Sequence, residues 1–166
     1  MSKLPSAVAI LIAVLALPAT GRAEPFKCPA GARVRGKEGD PIRYCTRGGA
    51  KNGRFSRFYG SGKEALRLRY RGGKLNGSWS SWYTHGTRSA RGTYKNDRLE
   101  GRFTVYHFSG VKAETGIYRK SQRQGKWSFY HDNGKKAAEG TFKDDVRTGV
   151  WHFWDKKGNK LPDKTF

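Results

Sequence analysis

Gly125-Lys126-Trp127-Ser128-Phe129-Tyr130-His131-Asp132-Asn133-Gly134, with the residues that follow it to Thr148, decides how this chain folds. Trp127 to His131 is aromatic and β-favouring, Asp132-Asn133-Gly134 carries the chemistry of a hairpin turn, and Lys136 to Lys143 reads as a returning strand. The polar run Asp144-Asp145-Val146-Arg147-Thr148 then turns the chain into another Gly-aromatic strand at Gly149. One such stretch is a β-hairpin.

The same stretch recurs with a period of 24 residues. Gly53, Gly77, Gly101, Gly125 and Gly149 open the units, and Gly62, Gly86, Gly110, Gly134 and Gly158 mark their turns. Two residues after each opening glycine stand Phe55, Trp79, Phe103, Trp127 and Trp151; five residues after it stand Phe58, Trp82, Tyr106, Tyr130 and Trp154. A fixed period of this size means stacked supersecondary units, each burying its apolar face against its neighbours. The predicted fold is all-β: a single-layer antiparallel meander of stacked β-hairpin repeats, four full units from Gly53 to Thr148 and a half unit to about Leu161. Pro162 is expected to stop pairing and leave 162–166 as a tail. A helical reading fails on the 22 glycines and on apolar spacing that never sustains a helical face.

The second strand carries its own glycines, Gly92, Gly116 and Gly140, each followed two residues later by Tyr94, Tyr118 or Phe142. A strand glycine marks a place where a neighbouring ring lies over the backbone. The Trp or Phe two residues after a repeat-opening glycine is expected to supply that ring. The first unit has Leu68 in this slot and is expected to pack differently.

Ahead of the repeats, Lys3, the apolar run Ala7 to Leu17 and the small residues up to Ala23 have the order of a secretory signal peptide, residues 1–23. The run is shorter than the roughly 20 residues a membrane span needs, so no transmembrane segment is expected after cleavage. The chain is expected to be exported, to the periplasm or beyond the cell; an uncleaved amphipathic anchor is the alternative. In that setting Cys28 and Cys45 should pair, closing a Gly-, Arg- and Pro-rich loop as an N-terminal cap over residues 24–52. Loop closure of this size is worth about 3 kcal/mol. A reactive or metal-binding cysteine pair is disfavoured because no histidine stands near and the spacing is foreign to zinc and redox motifs.

Charge singles out the partner class. After residue 23 there remain 143 residues with 32 basic and 13 acidic side chains, a formal charge of +19. Residues 24–75 carry +10, residues 76–148 carry +7 and residues 149–166 carry +2. Such a field speaks of partners, not of fold. Candidate binding residues are Arg54, Arg57, Arg67, Arg69, Arg88 and Arg91, with Tyr59 and Tyr83 beside them; Arg67 and Arg69 must point the same way from one strand. A merely solubilising face is the plain alternative. Tyr59, Tyr83, His107, His131 and Asp155 share one repeat slot and are expected to line a strip beside the aromatic ladder. His107 and His131 lack a matching carboxylate or thiolate in register, so neither a metal nor a cofactor is expected.

The unit Gly-x-Trp-x-x-Tyr/Trp, then Gly-Lys, then Gly-x-Tyr/Phe-Lys, as in Gly125 to Tyr130 and Asn133-Gly134-Lys135, resembles the MORN-like repeats (membrane occupation and recognition nexus) of the YwqK antitoxin-type variant family. The resemblance covers about residues 52–161. It implies a module for protein contact, for attachment at membranes or for toxin neutralisation. The export signal, the cysteine-bounded cap and the basic balance depart from a cytoplasmic antitoxin.

No nucleophile elbow, zinc-protease helix motif or phosphate-binding loop interrupts the repeats, so the chain reads as no enzyme. The leading expectation is an exported module that binds an anionic envelope polymer or lipid, or an acidic protein partner, through its basic N-terminal face. An antitoxin- or immunity-type inhibitor of a specific protein is the alternative. Nucleic acid is expected to bind only non-specifically, by charge.

Overall fold

Glycine-punctuated strands too short to bury a core alone find their partners sideways, and the computed structural model, which describes residues 26–166, is one open antiparallel sheet. No helix occurs among the described residues. The expected export segment, 1–23, lies outside them.

The sheet begins with β1 (Arg33–Arg35), β2 (Ile42–Arg47), β3 (Ala50–Phe58) and β4 (Glu64–Arg71). The next two units each interrupt their first strand: β5 (Lys74–Leu75) with β6 (Gly77–Trp82), then β8 (Arg98–Leu99) with β9 (Gly101–Tyr106). Their second strands are β7 (Arg88–Lys95) and β10 (Lys112–Arg119). The last units are unbroken: β11 (Gln122–Tyr130), β12 (Lys136–Lys143), β13 (Val146–Trp154) and β14 (Lys160–Thr165). Each strand pairs with its sequence neighbours, β5 and β8 being short extensions beside β4 and β7. The predicted meander is the observed one, and Cys28 is bonded to Cys45.

Turns alternate between two edges. On one edge, hairpins close through Tyr59 N–H to Lys63 O, Tyr83 N–H to Thr87 O, His107 N–H to Val111 O and His131 N–H to Lys135 O, at 2.7–2.8 Å. On the other, two-residue turns at Gly48-Gly49, Gly72-Gly73, Asn96-Asp97, Lys120-Ser121 and Asp144-Asp145 hold both residues at positive φ, as a type I′ turn requires. The turn after β12 is thus two residues long, tighter than the five-residue run Asp144 to Thr148 suggested.

Two boundaries differ from the sequence reading. The cap is not separate from the repeats: β2 pairs with β3 through a Gly48-Gly49 turn that falls on the 24-residue clock, so the cap adds two strands to the same sheet. The tail 162–166 is not free either. β14 runs through Pro162 to Thr165, with Val150 opposite Thr165 and Phe166 N–H bonded to Gly149 O. Because β14 is the edge strand, a proline can sit in it where its missing N–H faces outward. The Phe166 ring then packs on Trp151 at 6.1 Å.

One face is aromatic. Trp127 and Trp151 are fully buried, and Phe142 joins them, with Phe103, Tyr118, Phe129 and Phe153 packed around. The rings lie over the strand glycines as expected: a Cβ at Gly116 would overlap Trp127, and one at Gly140 would overlap Trp151. At Gly92 it would lie 2.8 Å from Trp79 Nε1. In the first unit Leu68 stands opposite Phe55, and Tyr70 meets Phe55 edge-on at 6.0 Å.

Candidate anion-binding site

Register sorts the predicted arginines. Arg54 stands opposite Arg69 and Ser56 opposite Arg67, so all four share the face away from the rings. Arg91, opposite Ser80, lies on that same face because Ser80 is in turn opposite Arg67. Arg57 is opposite Leu66, on the ring face, and Arg88 is opposite Trp82 next to a hairpin turn. The structure therefore brings Arg54, Arg67, Arg69 and Arg91 onto one surface, with Arg88 at its hairpin end beside Trp82, and leaves Arg57 on the ring face.

Between the cap and this face runs a groove of 480 Å³ lined by Lys27, Cys28, Pro29, Gly53, Arg54, Arg67 and Arg69. Glu64 is the carboxylate beside it. Its side chain, 14% exposed, is paired with Arg54 at 2.9 Å and with Arg67 through two guanidinium nitrogens. Burial works to raise the Glu64 pKa, and hydrogen bonds from Arg67, Ser56 and Arg54 overcome it, so the carboxyl sits below its ordinary value. Arg54 also lies 5.0 Å over Phe26, and Arg67 5.2 Å over Trp82. Arg54 and Arg67 are thus partly spent on the fold, whereas Arg69 and Arg91 are exposed and have no carboxylate partner among the described residues.

Tyr59 and Tyr83 serve the stack. Tyr59 donates its hydroxyl to Trp82 O at 2.6 Å and Tyr83 to Tyr106 O at 2.7 Å. His107 Nε2 donates to Tyr130 O at 2.8 Å and His131 Nε2 to Trp154 O at 2.9 Å, since a carbonyl can only accept. Each unit clamps the next through this slot. The opposite edge has a matching ladder: Leu75 N–H donates to Asp97, Leu99 N–H to Ser121 and Arg123 N–H to Asp145, at 2.7–2.9 Å.

A family model described as a MORN repeat variant matches residues 123–144. That match supports a MORN-like repeat protein. MORN repeats are generally modules that bind proteins or membranes. No curated protein matches the chain. Among solved structures, a mutant of S. aureus TarM in complex with Fondaparinux, alpha-GlcNAc-glycerol and UDP is 8% identical, with TM-score 0.36, over 72% of this chain and 21% of that one. A second TarM structure is 10% identical, TM-score 0.34, over 70% of this chain and 22% of that one. A GtfA/B complex bound to UDP and GlcNAc is 14% identical, TM-score 0.27, over 86% and 25%. The chain spans about a fifth to a quarter of the length of these solved chains.

Along the MORN-like stack the cations find partners unequally. Toward the C-terminal end Glu139 pairs with Lys126 at 2.8 Å and Lys136 at 2.7 Å, Asp132 with Lys156 at 3.1 Å and Asp163 with Lys160 at 3.1 Å. Other cations cover rings: Arg147 lies 4.5 Å over Trp151, Arg123 4.8 Å over Phe142 and Lys51 5.1 Å over Phe55. Lys51, Arg123 and Arg147 occupy the slot two residues before a repeat-opening glycine, which Leu75 and Leu99 fill elsewhere. Sequence reasoning counted these three as charge, although the period marks them as lids on the ladder. It also missed the exposed cluster of Tyr83, His85 and Phe108, whose rings lie 3.9–5.7 Å apart.

Glu139 gives the stack a measurable acid sensitivity. Burial works to raise its pKa, but hydrogen bonds from Lys126, Lys136 and Ser128 outweigh it and hold the carboxyl at about 2. The folded value lies below the unfolded one, so the stabilisation is present above the unfolded pKa and disappears as pH falls through the folded one. Glu139→Gln is expected to cost on the order of 1–2 kcal/mol at neutral pH, the lysines being partly solvated, and almost nothing near pH 2. Urea midpoints at pH 7 and pH 2 check this; equal costs at both would show that the carboxylate charge is not the stabilising element. Glu114 acts in the opposite sense: burial raises its pKa and the Arg123 charge only partly counters this.

Proposed function

We propose that this chain is an exported, non-enzymatic MORN-like repeat module that binds an anionic envelope surface or an acidic protein through the polar face of its N-terminal units. The supporting observation is the groove of Lys27, Arg54, Arg67 and Arg69, four cations whose bordering carboxylate is Glu64, with Arg91 farther along the same face. A surface of one sign with a single neutralised acid raises the local concentration of anions and holds them against water. The repeat unit, by contrast, spends its aromatic side chains on its own stack, which suits a rigid scaffold presenting charge.

Arg69 and Arg91 are the residues to test, because Arg67 reversed would set a like charge against Glu64 and damage the fold. A basic side chain at an anionic membrane surface contributes about fivefold to binding. Reversal of both, Arg69→Glu with Arg91→Glu, is expected to weaken binding of the full chain to phosphatidylglycerol vesicles at least about thirtyfold. Wild-type binding should fall with added salt and be absent on phosphatidylcholine. Unchanged affinity in the double variant would overturn the reading.

A second reading, an inhibitor that occludes one specific protein, draws on the exposed cluster at the hairpin edge. Phe108 is 63% exposed and its ring lies 5.2 Å from Tyr83 and 3.9 Å from His85. Exposed aromatic groups of this kind anchor protein interfaces.

A further inference from the structure

The edge that carries the two-residue turns presents a second, linear pattern of charge. The last residue of each strand entering those turns is Arg47, Arg71, Lys95, Arg119 or Lys143: five basic residues in five slots, 24 residues apart. Lys74 and Arg98, across the turn from Arg71 and Lys95, add to the row. All seven are exposed. Arg47 hydrogen-bonds to Ala30 O, while Arg71, Lys95, Arg119 and Lys143 form no ion pair among the described residues. Elsewhere in the stack the period selects rings and glycines, whose packing explains their recurrence. No packing explains five cations in a column pointing into water.

The nearby acids are already directed elsewhere. Asp97 accepts from Leu75 N–H at 2.7 Å, Glu100 from Lys120 N–H at 2.9 Å, and Asp145 from Arg123 N–H at 2.9 Å; Asp144 accepts from the Gln124 amide. In the middle of the row Lys74, Lys95, Arg98, Arg119 and Lys120 line an open groove of 530 Å³ together with Asn96 and Glu100.

Successive teeth of this comb are two strands apart, hence about 10 Å at the usual interstrand spacing. Sheet twist turns the row progressively, by roughly 20–25° per strand. A ligand that meets all the teeth must therefore be a flexible chain. A nucleic-acid duplex, stiff over about 150 base pairs, would touch only a few of them. Single-stranded nucleic acid would call for rings beside the cations on which bases stack. The turns here are Gly-Gly, Asn-Asp, Lys-Ser and Asp-Asp, with no aromatic residue. Two sugar rings joined end to end span about the same distance as one interval of the comb.

We propose that the comb of Arg47, Arg71, Lys95, Arg119 and Lys143 is a docking track for an extended acidic polysaccharide carrying one anionic group per disaccharide. This deepens the reading of the chain as an anion-binding module, on which it rests, and places the polymer on the turn edge instead of in the groove by the cap. The polymer runs across the strands, from the cap toward the C-terminal units, one anion to each tooth.

The probe is hyaluronan, which carries one carboxylate per disaccharide, titrated as a length series onto the full chain. Affinity should rise with length until the oligosaccharide spans the comb, about 40 Å for four intervals of two strands each, and then level off. Each exposed ion pair contributes only a few-fold. Reversal of three teeth, Arg71→Glu, Lys95→Glu and Arg119→Glu, should weaken long hyaluronan about tenfold or more. The neutral set Arg71→Gln, Lys95→Gln and Arg119→Gln should show a smaller loss with an unchanged circular-dichroism melt. Arg69→Glu with Arg91→Glu should leave the length dependence in place. Length-independent binding, or triple variants that bind as the wild type does, would overturn the track. Binding to phosphatidylglycerol vesicles without binding to hyaluronan would sink this inference and leave the broader function standing. Failure of both would sink both.

Discussion

Gly140→Ala is expected to lower the unfolding free energy by about 3 kcal/mol, the upper end of the range for overpacking a tight site. The glycine has no left-handed φ, so backbone strain is not the cause. A single methyl added there would occupy the space of the Trp151 ring, which is fully buried and held by Phe142 edge-on at 5.0 Å and Phe153 at 6.5 Å. Phe129 at 6.0 Å and Phe166 at 6.1 Å flank it as well, so the ring is enclosed by other rings. Gly92→Ala is the internal comparison: there the nearest atom is Trp79 Nε1 at 2.8 Å, on an indole that is only half-buried and able to shift. Chemical denaturation of the two variants checks the order. Equal and small losses would mean that the rings do not need bare backbone beneath them.

Trp127→Ala should cost more, about 3–5 kcal/mol, the usual cost of removing a buried large aromatic. Trp127 lies over Gly116, stands opposite Gly140, and meets Tyr118 and Phe142 edge-on at 5.3 and 5.9 Å. Its indole N–H donates to Ile117 O at 3.3 Å. It therefore joins the unit before it to the unit after it. In a stack whose units contact only their neighbours, a break at one interface uncouples the two sides. Beyond the loss of midpoint, the variant is expected to unfold in two steps: β12–β14 first, then the disulfide-closed N-terminal part. Urea titration followed both by fluorescence and by hydrogen exchange would resolve the steps. One coincident transition with a loss below about 1 kcal/mol would contradict the role of this ring as the joint.

These effects trace to residues that the period exposes in the sequence. Gly116 and Gly140 recur with Trp127 and Trp151, so both the ring over the backbone and the all-β stack were legible. The Gly48-Gly49 turn was legible by the same clock, but the cap lacks an opening Gly-aromatic pair and so looked aperiodic. Pro162 misled because a proline ends pairing only where both sides of a strand are occupied, and edge position is a property of the whole sheet. The candidate site was half legible. That Arg67 and Arg69 share a face follows from alternation alone. That Glu64 takes up Arg54 depends on the register of β3 with β4, including the irregularity between Arg57 and Phe58, which no local pattern records. Tyr59 and Tyr83 looked like binding residues because aromatic groups beside arginine suit a ligand. Their hydroxyls instead reach the main chain 23 residues on, a partner that only stacking brings near.

The most direct test of the N-terminal polar face as the binding surface is backbone amide shift mapping of the full chain with phosphatidylglycerol nanodiscs. Shifts and line broadening are expected to concentrate on β3, β4, β6 and β7, around Arg69 and Arg91, and to vanish in the Arg69→Glu, Arg91→Glu variant. The segment from β11 to β14, where the acids are already paired, should stay unperturbed. Perturbation centred on β11–β14, or spread evenly over the sheet, would contradict a function seated in the basic N-terminal units.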